Sequence, residues 1–293
     1  MKVQPECILC LISRGQKETQ QATKDREVQF KTIQALLKFL SQEFTSTAVP
    51  AYLGTERDRI IKRITGNSDP YKKAKEESNK KALKIFPSAK KIVSNQNSAE
   101  SKFRKACLCA IVGNIIEFHI PNHTVPFNEL ETLMQNAEKD LAIDEIQKIF
   151  KAAQKAHKVL YLTDNAGEIA FDTLLIQQLK NLGKHVTVAV KGGPVLNDAT
   201  VEDAKFVGMD KIADRLITTG ADAVGLLPNE CSNEFLNVYN SVDLVIAKGM
   251  GYAETLTELT LKCPHALLMR TKCNPVANFF HVNKGKNVAK LML

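Results

Sequence analysis

The feature that most constrains this chain is a change of rhythm after Lys158. From there, short β-branched runs ("VLYLT", "HVTVAV", "RLITT", "VDLVIA") alternate with helical stretches such as "IAFDTLLIQQLKNLG" and "SNEFLNVYN". "HALLMR" and "NVAKLML" supply later strands. Apolar strands separated by helices demand a mainly parallel sheet covered on both faces. The expectation is therefore an α/β fold, with a three-layer α/β/α domain over residues 156–293. Sheets of this kind gather functional residues at the carboxyl ends of their strands.

The first half reads differently. Between Lys24 and Phe44 the apolar residues Val28, Phe30, Ile33, Leu36, Leu37 and Leu40 recur at intervals near three and four, as on an amphipathic helix. "FRKACLCAIVGNIIEFHI" is almost wholly apolar and reads as a buried helix, followed by the helical "FNELETLMQNAEKDL" and "IDEIQKIFKAAQKAHK". Residues 1–155 are thus expected to form an all-helical N-terminal domain.

The same half carries the excess charge: 26 Lys and Arg against 18 Asp and Glu, while residues 156–293 hold 14 of each. Lys and Glu are interleaved there at helical spacing and aromatic residues are few. That pattern fits a solvated helix face better than a nucleic-acid surface. No stretch approaches the roughly 18 apolar residues of a membrane span. The start "MKVQPECILC" lacks the features of a signal peptide, so a cytoplasmic location is expected. Seven cysteines fit reduced thiols better than a disulfide framework.

The strand ends carry the chemistry. The first ends at Asp164 and Asn165, an anionic and a neutral oxygen ligand side by side, which suits a hard divalent cation. Gly167 loosens the turn into a helix, on which Glu168 and Asp172 share one face four residues apart. Like charges so placed are unfavourable without a cation or basic side chain nearby. The second strand ends in "KGGPVLNDAT", where Lys191 can face an anion and Asp198 offers a second carboxylate. Thr200 and Asp203 form a capping-box pattern for the next helix. Asp164 with Asn165, and Asp198, could instead be plain helix caps. Two Asp-bearing tips in one sheet favour a shared metal. The fourth strand ends in "AKGMGYAET", where Lys248 and two glycines lead into a helix that could attract anions. A cation opposite a Lys-Gly cradle points to a phosphorylated substrate.

Taken in order, "TDNAGEIAFD", "GGPVLNDAT", "TTGADAVG", "AKGMGYAE" and "KCNPVA" resemble the damage-control phosphatase family. The resemblance extends to "ECILC" and "VGNIIEF" in the first half. It implies a divalent-metal-dependent phosphatase of small phosphate monoesters, either sugar phosphates or phosphorylated damaged metabolites. The cofactor is one cation: Mg²⁺, Mn²⁺, Co²⁺ or Ni²⁺. The resemblance places the metal on Asp164, Asn165 and Asp198. Asp164, Asp198 and Lys248 fall at its catalytic positions. Asn114, Glu117, Glu168, Lys191, Asn197 and Gly249 fall around the substrate phosphate. Two positions depart from the family pattern: Tyr252 stands where an Asn is usual, and Glu117 where an Asp is usual.

Two other function classes are compatible with parts of the sequence. One is a carboxyl methyltransferase using S-adenosylmethionine, for which the imperfect "GMGYAE" is the only glycine-rich hint. The other is a non-catalytic protein binding anions or nucleic acid through the basic half. Cys107 and Cys109, as CxC on one helix, point their sulfurs apart and read as buried hydrophobes. Cys7 and Cys10 form a CxxC whose role is open, and Cys273 follows Lys272 at a strand end. No sequence feature specifies an oligomeric state.

Overall fold

The computed structural model describes residues 1–115 and 127–293, with side chains described for 1–113 and 132–293. Among these, seven strands form one sheet in the order β1-β7-β6-β5-β2-β3-β4. They are β1 (Leu141–Asp144), β2 (Lys158–Leu162), β3 (His185–Val190), β4 (Arg215–Thr218), β5 (Leu244–Lys248), β6 (His265–Arg270) and β7 (Asn287–Met292). β4, β3, β2, β5 and β6 run parallel, whereas β7 is antiparallel to β6 and parallel to β1.

The six strands expected from the sequence are all present. β1 is an addition that overturns part of the helical reading: it takes Leu141 from the end of one stretch read as helix, and Ile143 and Asp144 from the start of the next. Its four residues, "LAID", are too few to show a period of two and are recruited only because β7 offers an edge.

The helices are α1 (Cys7–Ala22), α2 (Arg26–Glu43), α3 (Pro50–Thr65), α4 (Lys72–Ser94), α5 (Ala99–Ile115) and α6 (Phe127–Lys139). They continue with α7 (Ile146–Lys155), α8 (Glu168–Asn181), α9 (Val201–Phe206), α10 (Asn233–Tyr239), α11 (Gly249–Leu256) and α12 (Asn274–Phe279). Strand alternation divides the core in two. Val159 and Tyr161 of β2 point to one face, with Val186, Val188, Leu244 and Ile246, under α5, α7 and α8. Leu160 and Leu162 point to the other, with Val245, Ala247 and Leu267, under α10, α11 and α12. Burying each valine, leucine or isoleucine among them contributes about 1.5–3 kcal/mol.

α4 and α5 pack against α8 and so help to cover the sheet, while α1, α2 and α3 enclose two small cores of their own. α3 also grips the loops beyond the sheet. Lys62 Nζ donates to Pro194 O at 2.7 Å and pairs with Asp58 at 2.7 Å and Asp222 at 3.0 Å. Arg59 pairs with Asp222 and Glu230 in the loop after β4. Among the described residues no helix is long and apolar enough to cross a membrane.

The chain runs from β2 outward to β3 and β4, then returns to β5 on the other side of β2. The order thus reverses between β2 and β5, and in open α/β sheets ligands bind beyond the carboxyl ends of such a pair. β2 delivers Asp164 to that crevice and β5 delivers Lys248 and Gly249.

Candidate active site

Backbone hydrogen bonds hold the loops after β2 and β3 together. Ala199 N donates to Asp164 O at 2.8 Å, Ala166 N to Asn197 O at 2.9 Å, and Asn165 and Asp198 form an isolated β-bridge. Asp164 is half-buried and Asp198 is buried. Neither is the N-cap residue of the helix that follows it. α8 is capped by Gly167 at φ 80°, with no side-chain bond, and α9 by the Thr200–Asp203 capping box. The capping box expected from the sequence is therefore real, and the helix-cap alternative for Asp164, Asn165 and Asp198 fails.

The carboxylate of Asp164 occupies space that only a glycine leaves open. Gly249 opens α11 at φ +83°, and a Cβ there would stand 1.9 Å from Asp164 Oδ2 and 2.4 Å from its Cγ. Asn165 Nδ2 donates to Asp164 Oδ2 at 2.8 Å and to Glu168 Oε2 at 2.9 Å. With its NH₂ committed to these carboxylates, its carbonyl oxygen is the atom available to a cation. The Asp198 loop is held from α3. Leu196 adopts φ 47°, unusual for a residue with a side chain, and its amide donates to Asp58 Oδ1 at 3.2 Å.

The two lysines expected to face an anion are instead buried and engaged. Lys248 Nζ has three protons and three partners: Glu168 Oε1, Asp172 Oδ1 at 2.8 Å and Ala110 O at 2.9 Å. No donor is left for a phosphoryl oxygen. What the sequence suggested as an anion cradle is the basic side chain that Glu168 and Asp172 need on their shared helix face. Tyr161 Oη also donates to Asp172 Oδ1, at 2.8 Å, while Asp172 Oδ2 is buried with no partner among the described residues.

Lys191 is the counterpart on β3's side. Its Nζ donates to Gly225 O at 2.8 Å and Tyr252 Oη at 3.3 Å, and lies 3.5 Å from Asp198 Oδ2. It also stands 4.5 Å above the Tyr252 ring, a cation–π contact. Tyr252 is 1% exposed. Its phenol thus braces Lys191 under Asp198.

Burial pushes the Asp164 carboxyl well above its ordinary range, with Glu168 and Asp198 adding to the shift and Lys272 and Lys248 opposing it. Burial likewise raises Asp198 to about 6 against the pull of Lys191, and Asp172 to about 6 against Lys248. Burial lowers Lys248, but Asp172 and Glu168 outweigh it and hold the ammonium above its usual value. Carboxylates that disfavour their own ionisation in this way gain from a cation.

Sequence reasoning gave Lys272 no role. It lies in the loop between β6 and α12, it is exposed, and its charge reaches Asp164. Its signal was simple: a lysine two residues past a strand. Gly113 lies where α5 meets α8, and a Cβ there would come within 3.3 Å of Glu168 Cγ. Asn197 sits half-buried in the bridging loop, its carbonyl accepting from Ala166. Glu117 and the side chain of Asn114 lie outside the described residues, as do His119 and His123. Cys107 and Cys109 are 0% and 1% exposed, as expected of buried hydrophobes. Burial raises the Cys109 thiol to about 12. Cys7 and Cys10 open α1, and Cys273 caps α12.

Residues 3–288 match the family described as the damage-control phosphatase ARMT1-like domain. A protein named damage-control phosphatase from Archaeoglobus fulgidus is 36% identical over 293 residues, covering 100% of both chains. An uncharacterized protein from Methanocaldococcus jannaschii is 39% identical, over 98% of this chain and 95% of that one. The crystal structure of a relative from Pyrococcus horikoshii superposes with a TM-score of 0.88 at 34% identity, covering 99% of this chain and 98% of that chain.

Proposed function

The chain belongs to the ARMT1-like damage-control phosphatase family and is a phosphatase, and we propose that it hydrolyses small phosphate monoesters at the β2–β5 crevice, sugar phosphates first among them. The family is generally metal-dependent. The donor set on this chain fits one hard divalent cation such as Mg²⁺ or Mn²⁺, with Co²⁺ and Ni²⁺ as alternatives. Asp164 and Asp198 supply two carboxylates whose ionisation is disfavoured by burial and by the neighbouring charge of Glu168, and Asn165 adds a neutral oxygen. Among the described residues no group of three or more His, Cys, Asp or Glu is gathered for a metal; in this reading Asp164, Asn165 and Asp198 would share the ion with water or substrate oxygens.

Bound there, the cation supplies a Lewis acid that offsets charge on a phosphoryl oxygen. The protein's own groups do the rest. Lys272, exposed at the mouth near Asp164, binds the remaining phosphoryl oxygens. Lys248 takes no part in holding phosphate. It neutralises Glu168 and Asp172, and Glu168 in turn fixes the amide of Asn165. Hydrolysis forms a P–O bond to water and breaks the P–O bond to the ester oxygen, which leaves with a proton. Asp164, the more accessible carboxylate, either takes the water's proton or attacks phosphorus itself. Recovery of a covalent aspartyl phosphate distinguishes the second route from the first.

One observation carries this reading. Asp164 and Asp198 lie in loops after neighbouring strands that a β-bridge joins, neither is the N-cap residue of α8 or α9, and the Asp164 carboxylate fills space that Gly249 leaves at the start of α11. The test is phosphate release from a panel of sugar phosphates and a generic aryl phosphate, using chelator-stripped protein with each cation in turn. Turnover restored by a divalent cation, and fastest with a sugar phosphate, is expected. Equal turnover with and without cation contradicts the site. Activity confined to large phosphorylated molecules contradicts the substrate class.

A further inference from the structure

Asn79 lies on α4, far in sequence from the strand tips, and is 2% exposed. Both ends of its amide are used. Its Oδ1 accepts from Gly167 N at 2.7 Å, and its Nδ2 donates to Asp203 Oδ1 at 2.7 Å. Gly167 follows Asn165 by two residues and opens α8, where the first amides lack intrahelical partners. Having no side chain, Gly167 cannot satisfy them itself. Asp203 follows Asp198 by five residues and belongs to the α9 capping box, its Oδ2 accepting from Thr200 N and Oγ1, each at 2.9 Å.

One rigid planar group therefore ties the loop carrying Asp164 and Asn165 to the loop carrying Asp198. We infer that Asn79 is a positioning residue that sets the spacing of the two loops, and through it the affinity for the cation. This inference rests on the cation site placed above at Asp164, Asn165 and Asp198. Outer partners of ligating residues typically change metal affinity by about 10- to 100-fold when removed.

The tie suggests its own control, because it can be rebuilt backwards. Asn79→Asp alone keeps the acceptor for Gly167 but sets one carboxylate against another. Asp203→Asn alone must surrender either Asn79 or Thr200, since one of its oxygens becomes a donor. Together the two changes restore every bond. Asp at 79 accepts from Gly167 N and from the new amide at 203, whose oxygen still receives Thr200. Lys75, one turn before Asn79, pairs with Asp69 at 2.9 Å and lies 3.8 Å from Asp203 Oδ2, and the double variant leaves the total charge around it unchanged.

The experiment is calorimetric titration of Mn²⁺ into metal-free wild type, both single variants, the double variant and Asp164→Ala, with thermal melting of each metal-free protein alongside. Each single variant should bind Mn²⁺ about tenfold more weakly or worse, and the double variant within about threefold of wild type. Single variants that melt early yet bind Mn²⁺ with wild-type affinity overturn the inference, because Asn79 then only holds helices together. A double variant as weak as its parents overturns it too. If Asn79→Asp does not fold, Asp203→Asn and the double variant decide the matter alone. Wild-type Mn²⁺ affinity in Asp164→Ala would remove the cation site itself, and this inference with it.

Discussion

Replacing Gly249 with alanine should abolish most activity while leaving the fold standing. The new Cβ would lie 1.9 Å from Asp164 Oδ2, whereas real Cβ atoms essentially never approach another atom closer than 3.0 Å. Either the carboxylate or the start of α11 has to move by roughly an ångström. A misplacement of that size at a reacting group costs on the order of 100-fold in rate. The backbone contributes separately, since φ +83° costs an L-residue about 1–2 kcal/mol. Gly66 separates the two effects. It ends α3 at φ +70°, and nothing lies within 4 Å of a Cβ built on it. Gly66→Ala should therefore lose about the same 1–2 kcal/mol and keep its kcat. Melting temperature and aryl phosphate hydrolysis at saturating Mn²⁺, measured on both variants, give the comparison. Near-wild-type kcat in Gly249→Ala would show that the chemistry does not depend on where Asp164 stands.

Three further outcomes are expected. Lys248→Met leaves Glu168 and Asp172 buried without their cation, which should cost about 3–5 kcal/mol by urea denaturation; a stable variant with only a raised KM would instead make Lys248 a phosphate ligand. Asp198 has its pKa raised from 3.8 to about 6, so its contribution to metal-free stability is fully present below about pH 4 and lost as pH rises through about 6. Asp198→Asn should thus match wild type at pH 4 and exceed it by up to about 3 kcal/mol at pH 7.5. A wild type that is more stable than the variant at pH 7.5, with chelator present, contradicts this. Lys272→Ala should raise KM about tenfold and leave Mn²⁺ affinity unchanged; unchanged KM would remove Lys272 from the phosphate.

Much of the fold could be read from sequence because parallel strands, buried on both faces, stand out as apolar runs. Six strands appear that way, and β1 does not, since four residues recruited to an edge carry no period. The candidate carboxylates were legible for a related reason: Asp164 and Asn165 interrupt an apolar run at its carboxyl end, and Asp198 closes the glycine-rich loop that follows the next run. The lysines were harder. Sequence places Lys191 and Lys248 beside the crevice but does not say which way an ammonium turns. That choice is made by buried anions that capture the lysines first, Glu168 and Asp172 for Lys248 and Asp198 for Lys191. Asn79 gave no local signal, because its partners are 88 and 124 residues away.

The decisive measurement joins binding to turnover in one titration. Mn²⁺ is added to chelator-stripped wild type and to an Asp164→Ala, Asp198→Ala double variant, and bound metal and phosphate release are followed together. The wild type should take up one ion per chain, with activity rising in step, while the double variant binds none at that site and stays inactive. One tightly bound ion in the double variant, or activity that ignores the ion, would mean that these two carboxylates do not form the metal centre.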